Sequence, residues 1–347
     1  MVTNTQVIFS KVPTTYPVVG EHVTVKKSEF DLDAPLAEGE FILKTLVLSV
    51  DPYMRGRMRD ASTKSYSPPF LIDQPMNGHT MKQVVKSNNA DFKVGDLVYG
   101  MGNFEEYSKV NAAIAKALGL KVRNDPKTNG IPISNYIGIL GMPGMTAYVG
   151  LYKIGEIKKG ETIYISAASG AVGQVAGQIA KAQGLRVVGS AGSDEKVAYL
   201  KEIGFDAAFN YKTEDIDAKL SEYCPNGIDV YFENVGGKML EIVLTKLNPF
   251  SRIIACGMIS QYNLEKPEPV HNLVNIVAKR IKFQGFIVSD YPEVEPEFFK
   301  TVTQLILDNK IRYQESFAEG IEKTPEALLD VLKGNNFGKQ VVNVASL

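Results

Sequence analysis

The chain has 347 residues, 44% hydrophobic and 22% charged, with 38 Lys+Arg against 39 Asp+Glu and a formal net charge of −1. Such a length outgrows one core and predicts two domains, while the balanced charge argues against a nucleic-acid or anionic-membrane partner. Only Cys224 and Cys256 are available for pairing, so a disulfide framework is not expected and a reducing compartment, the cytosol, is.

The opening "MVTNTQVIFSKVP" has neither the charged nor the apolar region of a signal peptide. Residues 1 to 130 then offer short β-like runs ("QVIFSKV", "HVTVKK", "EFILKTLVLSV", "MKQVVKS", "DLVYG") punctuated by Gly and Pro. They predict a β-rich domain, a partly open barrel. The most apolar stretch, "ISNYIGILGMPGMTAYVGLY", is interrupted by four glycines and a proline and does not read as a membrane span.

From residue 131 strands and helices alternate. "ETIYISA" reads as a strand and "AVGQVAGQIAKAQG" as a helix, followed by the strand "LRVVGSA" and the helix "DEKVAYLKEIG", which Asp194 can start and Gly204 can end. "FDAAFNY", "IDVYFENV", "SRIIACGMI" and "IKFQGFIV" supply four further strands. The reading is an α/β fold, a doubly wound six-stranded parallel (Rossmann) sheet over 131–309. An amphipathic helix "EPEFFKTVTQLILDNK" and a strand "GKQVVNVASL" follow, and the tail over about 310–347 is expected to complete the first domain.

Between the first strand and helix of that sheet, "SAASGAVGQVAG" places Gly170, Ala171, Val172 and Gly173, with Gly177 a turn later. Glycines there permit a tight turn and a close backbone approach, and the helix N-terminus favours a diphosphate. Cofactor choice falls at the end of the second strand, about 20 residues on, where a carboxylate would hold the ribose of NAD. The segment "GSAGSDEK" has no acid at the strand end and brings Lys196 into the first turn of the next helix. A cation is unfavourable at that position unless an anion lies nearby, so the pattern favours the 2′-phosphate of NADP(H) over a solvated lysine. Tyr211, closing the third strand, is a second phosphate candidate or an ordinary strand-end tyrosine.

A zinc site is not expected. The two cysteines are far apart, and His22, His79 and His271 form no ligand pair at useful spacing. Without a Lewis acid, hydride transfer suits an acceptor that is already electrophilic, such as a conjugated C=C–C=O group, with a hydroxyl donor to stabilise the enolate.

The motifs "VDPYMRGRM", "GMPGMTAY", "AASGAVG", "GSDEK", "FENVGG", "CGMISQYN", "GFIV" and "NNFGK" run through nearly the whole chain. In them the sequence resembles the zinc-independent medium-chain dehydrogenase/reductase superfamily. The resemblance is closest to its leukotriene B4 12-hydroxydehydrogenase/prostaglandin reductase branch, which includes plant alkenal double-bond reductases. It implies a GroES-like catalytic domain, a homodimer, and NADPH-dependent reduction of the C=C bond of α,β-unsaturated aldehydes or ketones. Gly170 to Gly173 would hold the diphosphate, and Lys196 and Tyr211 the 2′-phosphate. Asn234 and the run Cys256, Gly257, Met258, Ile259, Ser260, Gln261 and Tyr262 would follow the adenosine and ribose. Phe286, Ile287 and Val288 would meet the carboxamide, and Asn336, otherwise a helix C-cap, would contact the cofactor from the C-terminal segment. Tyr262 is the polar group chosen for the reacting carbonyl or nicotinamide ribose, and Tyr53 the second pocket candidate. Met54 and Met145 read as core or pocket. Where plant relatives tend to place a tyrosine, this chain has His79, which weighs against a phenylpropenal preference. Quinone reduction, allylic-alcohol oxidation and catalytically idle NADPH binding are the competing readings.

Overall fold

Alternating apolar residues of the first third pair into antiparallel ladders. The computed structural model describes residues 1–347, and the chain divides into two units: Met1–Gly138, Ser316–Asn336 and Gln340–Leu347 form the first, Ile139–Glu315 and Phe337–Lys339 the second. The first boundary thus falls eight residues beyond the expected 130, because Ile133–Ile137 continues the first unit as a buried turn of 3-10 helix. Three residues of the C-terminal tail, 337–339, belong to the second unit rather than the first.

In the first unit the strands are β1 (Val2–Phe9), β2 (Val23–Phe30), β3 (Phe41–Ser49), β4 (Gln74–Pro75), β5 (Asn77–Ser87), β6 (Leu97–Asn103), β7 (Tyr107–Val110) and β8 (Lys121–Val122). The remaining strands are β9 (Thr162–Ile165), β10 (Arg186–Ala191), β11 (Ala207–Asn210), β12 (Ile228–Glu233), β13 (Leu247–Ala255), β14 (Lys282–Gly285), β15 (Glu315–Glu319) and β16 (Lys339–Asn343). One sheet has the order β2-β1-β4, and a larger one runs β15-β16-β3-β5-β6-β8, with β7 on β3. Strand β3 is central: Val47–Ser49 pair with β16, Phe41–Lys44 with β7, and the other edge with β5. Inward residues Val7, Phe9, Leu48, Met54, Phe104, Leu328 and Val342 make the core. Met54 is therefore a packing residue, fully buried.

One core position breaks the apolar pattern. Lys82 on β5 is 2% exposed. Its Nζ donates to Asn103 O and Ser108 Oγ at 3.2 Å each, with the charge of Glu105 opposing but no carboxylate at ion-pair distance. Burial pushes its ammonium from the ordinary 10.5 down to about 8.

The second unit holds the six-stranded sheet, all parallel, in the order β11-β10-β9-β12-β13-β14. This is the doubly wound topology the βα alternation predicts. Phe209, Tyr164 and Tyr231 stack across β11, β9 and β12, with centroids 6.1 and 5.3 Å apart. Helix Gly173–Ala182 sits tight on the sheet because Gly177 lacks a side chain: a Cβ there would lie 2.0 Å from Phe205 Cζ. The last parallel strand is shorter than expected. It ends at Gly285, and Phe286 to Val288 leave it without a ladder.

Lys82 gives a pH test. Its folded affinity for the proton is below that of the unfolded chain, so between about pH 8 and 10.5 the unfolded state holds more protons and stability rises with pH. Lys82→Met removes this term: relative to the variant, the wild-type protein should gain on the order of 3 kcal/mol from pH 7 to pH 10. Urea unfolding of both at the two pH values measures it.

Candidate active site

A parallel sheet sends every βα connection out of the same edge. The residues singled out in the sequence follow that rule: 170–173 after β9, 192–196 after β10, 211 after β11, 234 after β12, 256–262 after β13 and 286–288 after β14. Six loops therefore converge on the carboxyl ends of the strands, where such sheets take their nucleotides.

The glycine turn is built for a backbone approach. A Cβ on Gly173 would lie 2.7 Å from Ala167 O and from Ala168 Cα and O. No side chain caps helix Gly173–Ala182, whereas Ser193 and Asp215 cap the next two helices. Its positive end is left for an anion. Gly170 also bridges in parallel to Gly338. Gly338 takes φ +69°, and a Cβ there would meet Gln314 O at 1.9 Å.

At the end of β10 the capping differs from expectation. Ser193 Oγ, not Asp194, accepts from Lys196 N at 3.3 Å. The Asp194 carboxylate instead accepts at 2.7 Å from Nδ2 of Asn210, the last residue of neighbouring β11. Strand β10 itself ends on Ala191 with no acid, and Lys196 stands in the helix's first turn, half-buried, its ammonium lowered by burial and by the charge of Lys212. Tyr211 is exposed beside it, its Oη 3.1 Å from where a Cβ of Gly192 would be.

The loops after β12 and β13 are laced together. Ile259 N donates to Asn234 O, and Ser260 N and Oγ donate to Val235 O. Asn234 is a tie as well as a turn residue: its N and Nδ2 donate to Ser166 Oγ and O at 3.0 and 2.8 Å. Tyr262 turns back into its own loop, its hydroxyl oxygen accepting from Met258 N at 3.1 Å, so its O–H is a donor toward another acceptor. Gly257 makes room: a Cβ there would lie 2.9 Å from that oxygen. The Cys256 thiol is pushed up to about 12 by burial and then by Glu233, so it stays protonated.

Glu233, unmarked in the sequence reading, is the hub of these loops. Fully buried at the end of β12, its Oε1 accepts from Val235 N at 2.5 Å, Gly236 N at 3.0 Å and Ser166 Oγ at 3.3 Å. Its carbonyl takes Cys256 N and Gly257 N. Burial holds its carboxyl above the usual range. A carboxylate closing an otherwise apolar strand, "DVYFE", is the signal that could have found it. Gln174 gave no such signal. Buried on the nucleotide helix, it accepts from Tyr199 Oη at 2.6 Å and from Gln314 N at 2.8 Å, and donates to Gln314 O at 3.1 Å.

Tyr53 and Asn336 belong to the first unit. Tyr53 precedes the short helix Met54–Arg57. Burial, then the Asp51 charge, holds its phenol well above the ordinary value, against the Arg57 guanidinium that hydrogen-bonds it. Arg57 also donates to Pro68 O, Asn77 O and Asn77 Oδ1, so this corner is fixed. Asn336 is not the helix cap: the helix Thr324–Lys333 ends on Gly334, whose φ of +71° only glycine adopts without strain. His79 stacks on Tyr99 at 5.6 Å, and its Nδ1 pairs with Tyr99 Oη at 3.1 Å. Met145 is half-buried. No three His, Cys, Asp or Glu side chains group as a metal site needs.

A doubly wound parallel sheet with a glycine turn at its carboxyl edge, in a chain that also carries a β-rich unit, marks the class of dinucleotide-dependent oxidoreductases. The comparisons narrow the class. Residues 6–118 match the family model described as the N-terminal domain of oxidoreductase, and 171–308 that of zinc-binding dehydrogenase. A 2-alkenal reductase (NADP(+)-dependent) of Nicotiana tabacum is 47% identical over 99% of this chain and 98% of its own. Prostaglandin reductase 1 of Rattus norvegicus is 41% identical over 89% of this chain and 90% of its own. The crystal structure of CurA in complex with NADPH from Vibrio vulnificus superposes with a TM-score of 0.89 at 40% identity, covering 99% of this chain and all of the other. The chain belongs to the medium-chain dehydrogenase/reductase superfamily, in its zinc-independent alkenal and prostaglandin reductase branch.

Glu233→Ala strands two buried N–H groups, each worth about 1–3 kcal/mol. The melting temperature should fall and the KM for NADPH rise several-fold, whereas Glu233→Gln, which keeps the acceptor, should stay near wild type in both.

Proposed function

We propose that this protein is an NADPH-dependent reductase of the C=C bond of α,β-unsaturated aldehydes and ketones. The observation that carries the reading is the convergence of six strand-end loops on one edge, with no acid closing β10 and a cation in the first turn of the helix that follows. Gly170 to Gly173 with the uncapped helix hold the diphosphate, Lys196 and Tyr211 the 2′-phosphate. Asn234 and Cys256 to Tyr262 line the ribose side, Phe286 to Val288 the carboxamide, and Asn336 approaches from the C-terminal segment.

NADPH supplies the hydride that the β-carbon of the enone receives. The displaced electron pair moves to the carbonyl oxygen, and the α-carbon takes a proton from solvent or a nearby acid, completing addition of H₂ across the double bond. The protein's part is to stabilise charge on that oxygen. Tyr262, whose hydroxyl oxygen accepts from Met258 N, is the phenol assigned to that oxygen. Tyr53 keeps its proton across neutral pH for the reasons of burial and charge given above.

The reading extends to assembly and location. Strand β14 is the outer strand of its sheet. Helix Val274–Ala278 beside it exposes Val274 at 71% and Val277 at 77%. An unpaired edge next to exposed valines suits a second copy of the same chain, pairing edge to edge as a homodimer. Free thiols at Cys224 and Cys256 suit the cytosol, and no helix is long and apolar enough to cross a membrane. A role in clearing reactive enals follows from the substrate class, with no nucleic-acid partner.

A panel of 2-alkenals, 2-alkenones and simple quinones, with product identification, tests the reaction. Saturated carbonyl products formed with NADPH far faster than with NADH are expected. Turnover of quinones alone, or of nothing, would overturn it. Lys196→Ala should raise the KM for NADPH about 10- to 100-fold, the range of a charged hydrogen bond, and that for NADH less than about twofold. For the assembly, Val277→Glu should move a dimeric species to the monomer position in sedimentation. A monomeric wild type would refute the dimer.

A further inference from the structure

Several lysines of the nucleotide-binding unit meet carboxylates. Lys181 meets Asp206 at 2.6 Å, Lys219 meets Glu214 at 3.3 Å, Lys246 meets Asp217 at 2.8 Å and Lys282 meets Glu156 at 2.6 Å. Lys212, the residue after Tyr211, has no such partner. Its backbone N is held by Asn210 Oδ1 at 3.1 Å, and its side chain runs toward the end of β10. There its Cε lies 3.1 Å from where a Cβ on Gly192 would stand, at the same distance as Tyr211 Oη. Two side chains from the end of β11 thus overhang one glycine, and any larger residue at 192 would press on both.

Lys196 stands four residues beyond that glycine, in the first turn of helix Asp194–Glu202. It is close enough to Lys212 for the two charges to repel, which depresses the Lys196 ammonium. The one acid that acts on the Lys196 charge, Glu195, does so less strongly than Lys212 opposes it. Two cations close enough to repel, one of them beside a phenol over the glycine, form an arrangement that is unfavourable alone and favourable around a doubly charged anion. A phosphate monoester carries about −1.5 to −2 at neutral pH, more than one ammonium matches.

We propose that Lys212 is a second cationic ligand of the 2′-phosphate, completing with Lys196 and Tyr211 a cradle over Gly192 that selects the phosphorylated coenzyme. The inference rests on the NADPH reading above and deepens it. Lys212 is exposed, so its contribution is screened by salt and smaller than that of half-buried Lys196. Lys212→Arg should keep the preference and Lys212→Met weaken it.

Fragments of the coenzyme test this without catalysis. Binding of 2′,5′-ADP and 5′-AMP to the full-length protein is measured by calorimetry at low and physiological salt, for wild type, Lys212→Met, Lys212→Arg and Lys196→Ala. For Lys212→Met, 2′,5′-ADP should bind about 5- to 20-fold more weakly at low salt. The loss should narrow as salt rises, with 5′-AMP changed less than twofold and Lys212→Arg close to wild type. Unchanged 2′,5′-ADP binding by Lys212→Met, while Lys196→Ala is impaired, would overturn the proposal and leave the NADPH reading standing. An equal loss for both fragments would also overturn it, since the effect would not reside at the 2′ position. A wild type that fails to prefer 2′,5′-ADP over 5′-AMP would take down both.

Discussion

Parallel pairing of the six strands β9 to β14 is the constraint on which the rest depends. Because all six run the same way, residues as distant in sequence as Gly170 and Val288 leave the sheet at one edge. That edge gathers helix N-termini, and only some are satisfied internally. Ser193 and Asp215 close two of them, while the helix after the glycine turn is left open. Specificity for an anion therefore follows from which caps are absent as much as from which cations are present.

Holding such an edge open has a cost in buried polar groups. Glu233, Ser166 and Tyr231 form a chain in which Tyr231 Oη donates to Ser166 Oγ and Glu233 Oε1 gathers two backbone N–H groups. Glu233 Oε2 finds no partner. The compensation is rigidity: the loops after β12 and β13 are fixed to each other and to β9. On the nucleotide helix, Gln174 and Gln178 do similar work one turn apart. Each amide donates to and accepts from the extended backbone of residues 312 and 314, replacing a missing strand.

Much of this was legible in the sequence because it is periodic or compositional. The six βα units, the glycine turn and the lack of an acid at the end of β10 are local patterns, and the structure places each where the pattern says. What was missed depends on partners far along the chain. Nothing local reveals that Asn210 captures Asp194, so that Ser193 caps, or that Gln174 faces Gln314. The strand "IKFQGFIV" looks continuous, but β13 ends at Ala255 opposite Gly285, and without a neighbour the ladder cannot extend through Phe286. Lys212 was passed over because a lysine after a strand-end tyrosine is ordinary until Gly192 is seen beneath it.

The two pairings made by the final dozen residues have a consequence for biosynthesis. Gly338 lies against Gly170, and Val341 to Asn343 cover the Val47–Ser49 end of β3. Neither pairing can form before residues 338 to 343 have left the ribosome. A stalled or C-terminally nicked product would present an unfilled sheet edge and a gaping phosphate turn, making it a ready substrate for chaperones and proteases.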